Sequence, residues 1–150
     1  MLTMAAVADA VCAALHEQWP ERNIHRNVCP ADFDRPALLV GMSIQGRRVM
    51  NRALYEETGT VTVTCFSVMD ANGTADASVL AEEAEALRTH FSAGYLSVAG
   101  RAVRLSLKET TCEADRCRTV FNCAFVETSD TEDHLPLMKE IHSRADLNFD

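Results

Sequence analysis

A strand that leads through a turn into a helix, over Gly59–Phe91, constrains the fold more than any other stretch of the chain. From Thr60 to Cys65, threonine alternates with apolar residues, which is the period of two that a half-buried β-strand shows. The alternation slips at Phe66, which indicates either a bulge or a strand end covered on both faces. Turn residues follow, and apolar residues then recur every three or four positions, as in an amphipathic helix. This unit predicts a helix that lies back on a sheet.

Periodicity elsewhere predicts a second helix and further strands. Apolar residues at spacings of three and four predict an N-terminal helix over 4–19, with Thr3 as its cap and Pro20 as its end. Before the central helix, three side chains offer a capping oxygen, those of Thr74, Asp76 and Ser78. Strands are expected in the segments 23–29, 37–44, 54–69, 94–101, 101–108 and 119–128, the last two as an antiparallel hairpin. The pattern indicates an α+β fold, with both helices on one face of a mostly antiparallel, four- to five-stranded sheet.

Length and composition fit one domain with an acidic extension. A chain of 150 residues that is 47% apolar and 24% charged can bury a single core. The segment from Glu127 onwards contains seven acidic residues and only two basic ones, Lys139 and Arg144. We therefore divide the chain into a domain over 1–128 and an acidic C-terminal extension over 129–150, in which the apolar spacing fits a short helix.

Charge and hydropathy exclude several classes of partner. The net charge of −8 argues against general binding to a nucleic-acid backbone, which normally needs a basic stripe. No apolar run reaches the roughly 18–20 residues of a membrane span, and no basic segment precedes an apolar one at the start. We therefore expect no membrane association, no secretion signal and a cytoplasmic location.

The most basic short segment, QGRRVMNR at 45–52, lies between two long predicted strands. Two long strands joined by such a segment predict a protruding hairpin. Its tip is either a solvated loop or an interaction arm, and the sequence leaves both open.

The residues that usually carry chemistry do not form a recognisable site. The chain has no nucleophile elbow, P-loop, dinucleotide-binding glycine motif or H-E-x-x-H pair, and its five histidines are not spaced as ligands. Of six cysteines, Cys112 and Cys117 can meet across a hairpin, and whether they pair stays open. Zinc sites usually combine two closely spaced pairs of Cys or His ligands, and this chain has no second pair to complement Cys112 and Cys117. We therefore expect no metal, no cofactor and no catalytic residue. The alternative is a small-molecule-binding or thiol-dependent α+β enzyme that uses Cys65 or Cys123.

Three stretches together resemble a known family. They are AVADAVCAALHEQWPERNIH at the start, the VTVTCF strand with its turn and Ala/Glu/Leu helix, and the closing pair SVAGRAVRLSLKET and RTVFNCAFVET. In order and pattern, from about Thr3 to Thr128, they are similar to the phage tail terminator (tail-completion) proteins of Gram-positive prophages. The family's strand often has an aromatic residue where this chain has Cys65, and its tail is usually shorter than 129–150.

This resemblance implies a non-enzymatic virion protein that forms a six-fold ring. Such a ring caps the tail tube protein and meets the head-completion proteins, and DNA only passes through it. Assembly takes place in the host cytoplasm, and the final location is the virion tail. The runner-up is another neck or tail-tube subunit of similar fold. A ring needs two different patches on each subunit, and the candidate subunit or partner interface comprises Arg47, Arg48, Asn51, Arg52, Glu82, Glu83 and Glu85, with the acidic extension as a further partner for the arginines.

Overall fold

The computed structural model describes residues 2–128, and the predicted extension over 129–150 with its helix lies outside these residues. Two helices and six strands follow one another along the chain. They are α1 (Met4–Gln18), β1 (Asn23–Arg26), β2 (Ala37–Val49), β3 (Leu54–Phe66), α2 (Ala77–His90), β4 (Tyr95–Val98), β5 (Arg101–Cys112) and β6 (Arg116–Thr128). The predicted α+β class is confirmed.

The strands form one mixed, curled sheet in the order β1-β2-β3-β6-β5-β4. β1 pairs with β2 in parallel, and each of the other neighbouring pairs is antiparallel. The prediction of four to five strands was therefore too low, and it missed the parallel pair. Both edge strands, β1 and β4, have only four residues, and the periodicity of so short a segment does not show whether it joins the sheet or in which direction.

Both helices contribute to one buried cluster on the same side of the sheet. α1 contacts β2 and β4, whereas α2 contacts β5 and β6. On β3, Val61 and Val63 are fully buried beneath these helices, and Phe91 of α2 packs on Phe121 of β6 with their ring centroids 5.3 Å apart. The alternation of threonine with apolar residues thus places the apolar side chains of β3 against the helices.

Capping residues fix where each helix starts. The Thr3 side chain accepts a hydrogen bond from the Ala6 amide (3.2 Å) at the start of α1. Of the three potential caps for α2, Asp76 is the one used, and it accepts from the Ser78 amide (3.0 Å). Each cap satisfies a backbone N–H that the first helical turn leaves without a partner.

The phase slip at Phe66 is a strand end covered on both faces. β3 pairs with both neighbours without a register shift from Thr60 to Phe66. The Phe66 ring contacts that of Phe33, with centroids 4.8 Å apart, and the guanidinium group of Arg116 lies 4.8 Å from its centroid. Aromatic and cation–π contacts therefore cover the Phe66 side chain, which is 4% exposed.

Gly59 leaves room for the Met4 side chain of α1 on the sheet. A Cβ atom at this position would lie 2.5 Å from the Ser43 carbonyl oxygen and 2.8 Å from the Met4 methyl group. No unstrained structure tolerates contacts this short, so only glycine lets Met4 pack at this depth.

Candidate assembly surfaces

The basic segment is not a separate excursion, because β2 continues through it to Val49. One bulge at Gln45 shifts the register between Ile44 and Gly46, and the β2–β3 pairing then runs on to Val49 and Tyr55. The hairpin is thus a two-stranded arm whose turn spans 50–53.

Two of the arm arginines already have partners on the facing strand. Arg47 Nε donates to Glu57 Oε2 (2.8 Å), and the Arg47 guanidinium lies 4.1 Å from the centroid of the Tyr55 ring. Arg48 Nη2 lies 3.3 Å from Glu56 Oε1. The hydrogen bond to Glu57 raises the pKa of Arg47 above its ordinary value. Both arginines therefore stiffen the arm, although their side chains remain more than half exposed.

The arm tip, residues 49–52, is both exposed and apolar. Val49 is 74% exposed and Met50 is 49% exposed. The Asn51 side-chain oxygen accepts from the amides of Ala53 (2.8 Å) and Leu54 (2.9 Å), so this residue shapes the turn. Arg52 is exposed, and within residues 2–128 it forms no salt bridge. The tip thus presents two apolar side chains next to one cation.

The three candidate glutamates of α2 have different environments. Glu82 and Glu85 are exposed, and Glu85 pairs with Arg88 one turn later (3.5 Å). Glu83, expected on the surface, is instead buried: it accepts from Arg22 Nη2 (3.2 Å) and from the Ser67 hydroxyl (3.0 Å). Its spacing from Leu80 and Leu87, three and four positions, places it on the apolar side of the helix and could have revealed this burial.

A groove of about 400 Å³ lies between the end of α2 and the middle of β5. Its buried lining is apolar and comprises Phe91, Leu105 and Phe121. Leu107, 42% exposed, and the ion pair of Glu85 with Arg88 lie at its margin. This α2–β5 groove therefore combines an apolar floor with an edge at which an acidic and a basic side chain pair.

An aromatic and ionic cluster that the sequence did not reveal holds the loop 27–36 against the sheet. Arg35 Nη2 donates to Asp115 Oδ2 (2.9 Å), and its guanidinium lies over the rings of Phe33 and Phe66. Hydrogen bonds from Arg116, and then from Arg35, hold the pKa of Asp115 below its ordinary value against the opposing effect of burial. The residues of this cluster are far apart in sequence, so no local pattern identifies the cluster.

Glu127 joins the N-terminus to the last strand. Its Oε2 accepts from the Leu2 amide (2.7 Å) and its Oε1 from the Thr128 amide (3.0 Å), and Arg101 forms a salt bridge with it. These hydrogen bonds, that from Leu2 first, lower the pKa of Glu127 to about 2. Glu127 thus belongs to the packed domain, although the change to an acidic composition begins with it.

The two thiols of the enzyme alternative are not activated. Burial raises the pKa of Cys65 to about 12 and that of Cys123 to about 11. A thiolate is the reactive species, so both groups are inert at neutral pH. The open question about the other pair is answered by a disulfide between Cys112 and Cys117, which face each other across the β5–β6 hairpin with a Cα–Cα distance of 4.0 Å.

The histidine at the end of α2 takes part in helix packing within residues 2–128. His90 Nε2 lies 2.8 Å from the Ala14 carbonyl oxygen and so links α2 to α1. In this part of the chain, no group of three or more His, Cys, Asp or Glu residues is placed to hold a metal ion. None of the helices described there is long and apolar enough to cross a membrane.

Comparisons with known proteins give one informative result. A family model described as phage tail terminator protein matches residues 6–134. No curated protein matches the sequence. Among 20 matching chains of known structure, one whose name describes no function is 15% identical, covering 81% of this chain and 94% of its own length with a TM-score of 0.39. A match at that score carries no argument about fold or function.

Proposed function

Because the chain belongs to the phage tail terminator protein family, we propose that it forms a six-fold ring on the completed tail tube. The ring ends tube polymerisation, and its opposite face binds the head-completion proteins, while DNA passes through the opening. The match over residues 6–134, which takes in nearly all of both helices and all six strands, carries this proposal. The protein is a structural component of the phage tail, and we place its origin in a prophage of a Gram-positive bacterium.

The surface of the domain supports assembly. A ring subunit needs two unlike patches that meet across each interface. This domain has exposed apolar side chains at the tip of one hairpin and an apolar groove beside α2. The thiol-enzyme alternative is disfavoured because Cys65 and Cys123 are buried and protonated.

Electron microscopy of tail tubes tests the proposed function. Tubes assembled from the tube protein of the same phage are mixed with the purified full-length chain. We expect a closed ring at one end of each tube and tubes that stop growing. A chain that stacks into filaments would instead indicate a tube subunit, and tubes that elongate unchanged in its presence would contradict the proposal.

A further inference from the structure

We propose that the arm tip of each subunit binds the α2–β5 groove of the next copy of this chain. This inference rests on the proposed ring and specifies which surfaces form its repeated interface. The contact is apolar at its centre, where Val49 and Met50 enter the groove. It is charged on α2 beside the groove, where Arg52 meets Glu82, one turn before Glu85.

The arm tip cannot reach the groove of its own subunit. Leu105, in the groove, pairs with Cys123, which pairs with Gly59, so the groove lies level with Gly59. The tip begins beyond Leu54, five residues or about 17 Å further along β3, and β2 lies three strands, or about 14 Å, from β5. A separation of more than about 20 Å within a paired sheet prevents the contact from forming within one subunit.

The exposed side chains of the two surfaces are complementary. Val49 and Met50 expose apolar surface that a monomer leaves in water, and Leu107 does the same at the groove margin. Arg47 and Arg48 are neutralised inside the arm, which leaves Arg52 as the cation at the tip. Glu82 is exposed with no salt bridge within the described residues, so it can accept the Arg52 guanidinium without losing another partner.

The two unlike patches supply the head-to-tail contact that a closed ring requires. The donor and acceptor are different surfaces, so each copy can give its tip to one neighbour and receive a tip from the other. The arm is stiffened by cross-strand ion pairs, and its turn is held by Asn51, so little conformational freedom is lost on docking.

Two matched pairs of variants test the contact. Val49→Asp disables the tip, with Val28→Asp as a control at an equally exposed valine in the loop 27–36. Leu107→Asp disables the groove, with Val79→Asp as a control at a residue of similar exposure on α2. Sedimentation and electron microscopy on tube ends report assembly. We expect at least about 30-fold weaker association for the tip and groove variants, the loss of one interface hot spot, and unchanged association for the controls.

A mixing experiment makes the test specific to a head-to-tail contact. A Val49→Asp copy keeps its groove and a Leu107→Asp copy keeps its tip, so the mixture should form one-to-one dimers that neither variant forms alone. In addition, Arg52→Glu should weaken assembly, and Glu82→Arg in the same chain should restore it. A mixture that stays monomeric, or a charge reversal that fails to rescue, would overturn the inference.

The outcomes separate this inference from the proposed function. If the Val49→Asp chain forms rings on tube ends as well as the wild type does, the contact is wrong and the tail-terminating function stands. If the wild-type chain forms no ring in solution or on tubes, both proposals fall.

Discussion

Removing Glu83 should destabilise the fold more than any other change to the candidate residues, because it leaves the buried side chain of Arg22 without its ionic partner. Arg22 and Glu83 have side chains only 12% and 10% exposed, and Nε and Nη1 of Arg22 already lack partners. Glu83→Leu leaves Arg22 and the Ser67 hydroxyl without their acceptor. Breaking a buried ion pair on one side costs about 3–5 kcal/mol. For a domain of this size, that corresponds to a loss of about 6–20 °C in Tm.

A double variant shows whether the loss of stability comes from the unpaired charge of Arg22. Replacing both partners, as in Arg22→Met with Glu83→Leu, removes both charges and fills their place with apolar side chains, so stability should return to within about 1 kcal/mol of the wild type. Thermal and urea unfolding of the two single variants and the double variant give the coupling energy, which we expect to exceed about 2 kcal/mol.

Two results would refute this reasoning. A Glu83→Leu variant that loses less than about 1 kcal/mol would show that Arg22 finds solvent or another acceptor. A double variant whose loss equals the sum of the single losses would show that the two side chains act separately. Neighbouring Glu82 is the matched control: it is exposed and without a salt bridge in the described domain, so Glu82→Leu should leave Tm nearly unchanged.

Three further predictions concern packing, pH and thiol chemistry. Gly59→Ala should cost about 1–3 kcal/mol in urea unfolding because its Cβ atom would meet backbone at 2.5 Å, whereas Gly41→Ala, with nothing within 4 Å, should be close to neutral; equal losses would contradict the packing argument. The contribution of Glu127 to stability should be complete above its unfolded pKa of 4.5 and be lost as the pH falls towards its folded pKa of about 2. The Glu127→Gln variant should lose this pH dependence of stability. A variant that keeps the same pH profile would assign the effect to another carboxyl group. Cys65 and Cys123 should resist iodoacetamide at pH 8 in the folded protein and react in guanidinium chloride, as mass spectrometry of digested peptides would show; rapid labelling of the folded protein would mean that the thiols are accessible.

The candidate residues show how much of the site a local sequence pattern can predict. The arm was located correctly as a hairpin, because two long strands flanked it. Its arginines were read as available for partners, but Arg47 and Arg48 pair with glutamates ten and eight positions later, which only the strand register brings opposite them. The narrow apolar stripe of α2 predicts Glu83 on the surface, but the buried side of the helix is wider and includes it. The pattern does not predict the apolar tip, since exposure of Val49 and Met50 cannot be deduced from their identity.

The sequence alone determined the α+β class, both helices and the family. The reason is that the period-two pattern of a strand and the period-3.6 pattern of a helix each span only about ten to fifteen neighbouring residues. Only the tertiary structure decided that all six strands join one sheet with β1 parallel to β2. The same holds for the burial of Glu83, the disulfide, and the hydrogen bond that joins Leu2 to Glu127 across 125 positions. Each of these depends on which strands become neighbours and in what register. That choice is made by the packing of the whole core, and no local window of residues contains it.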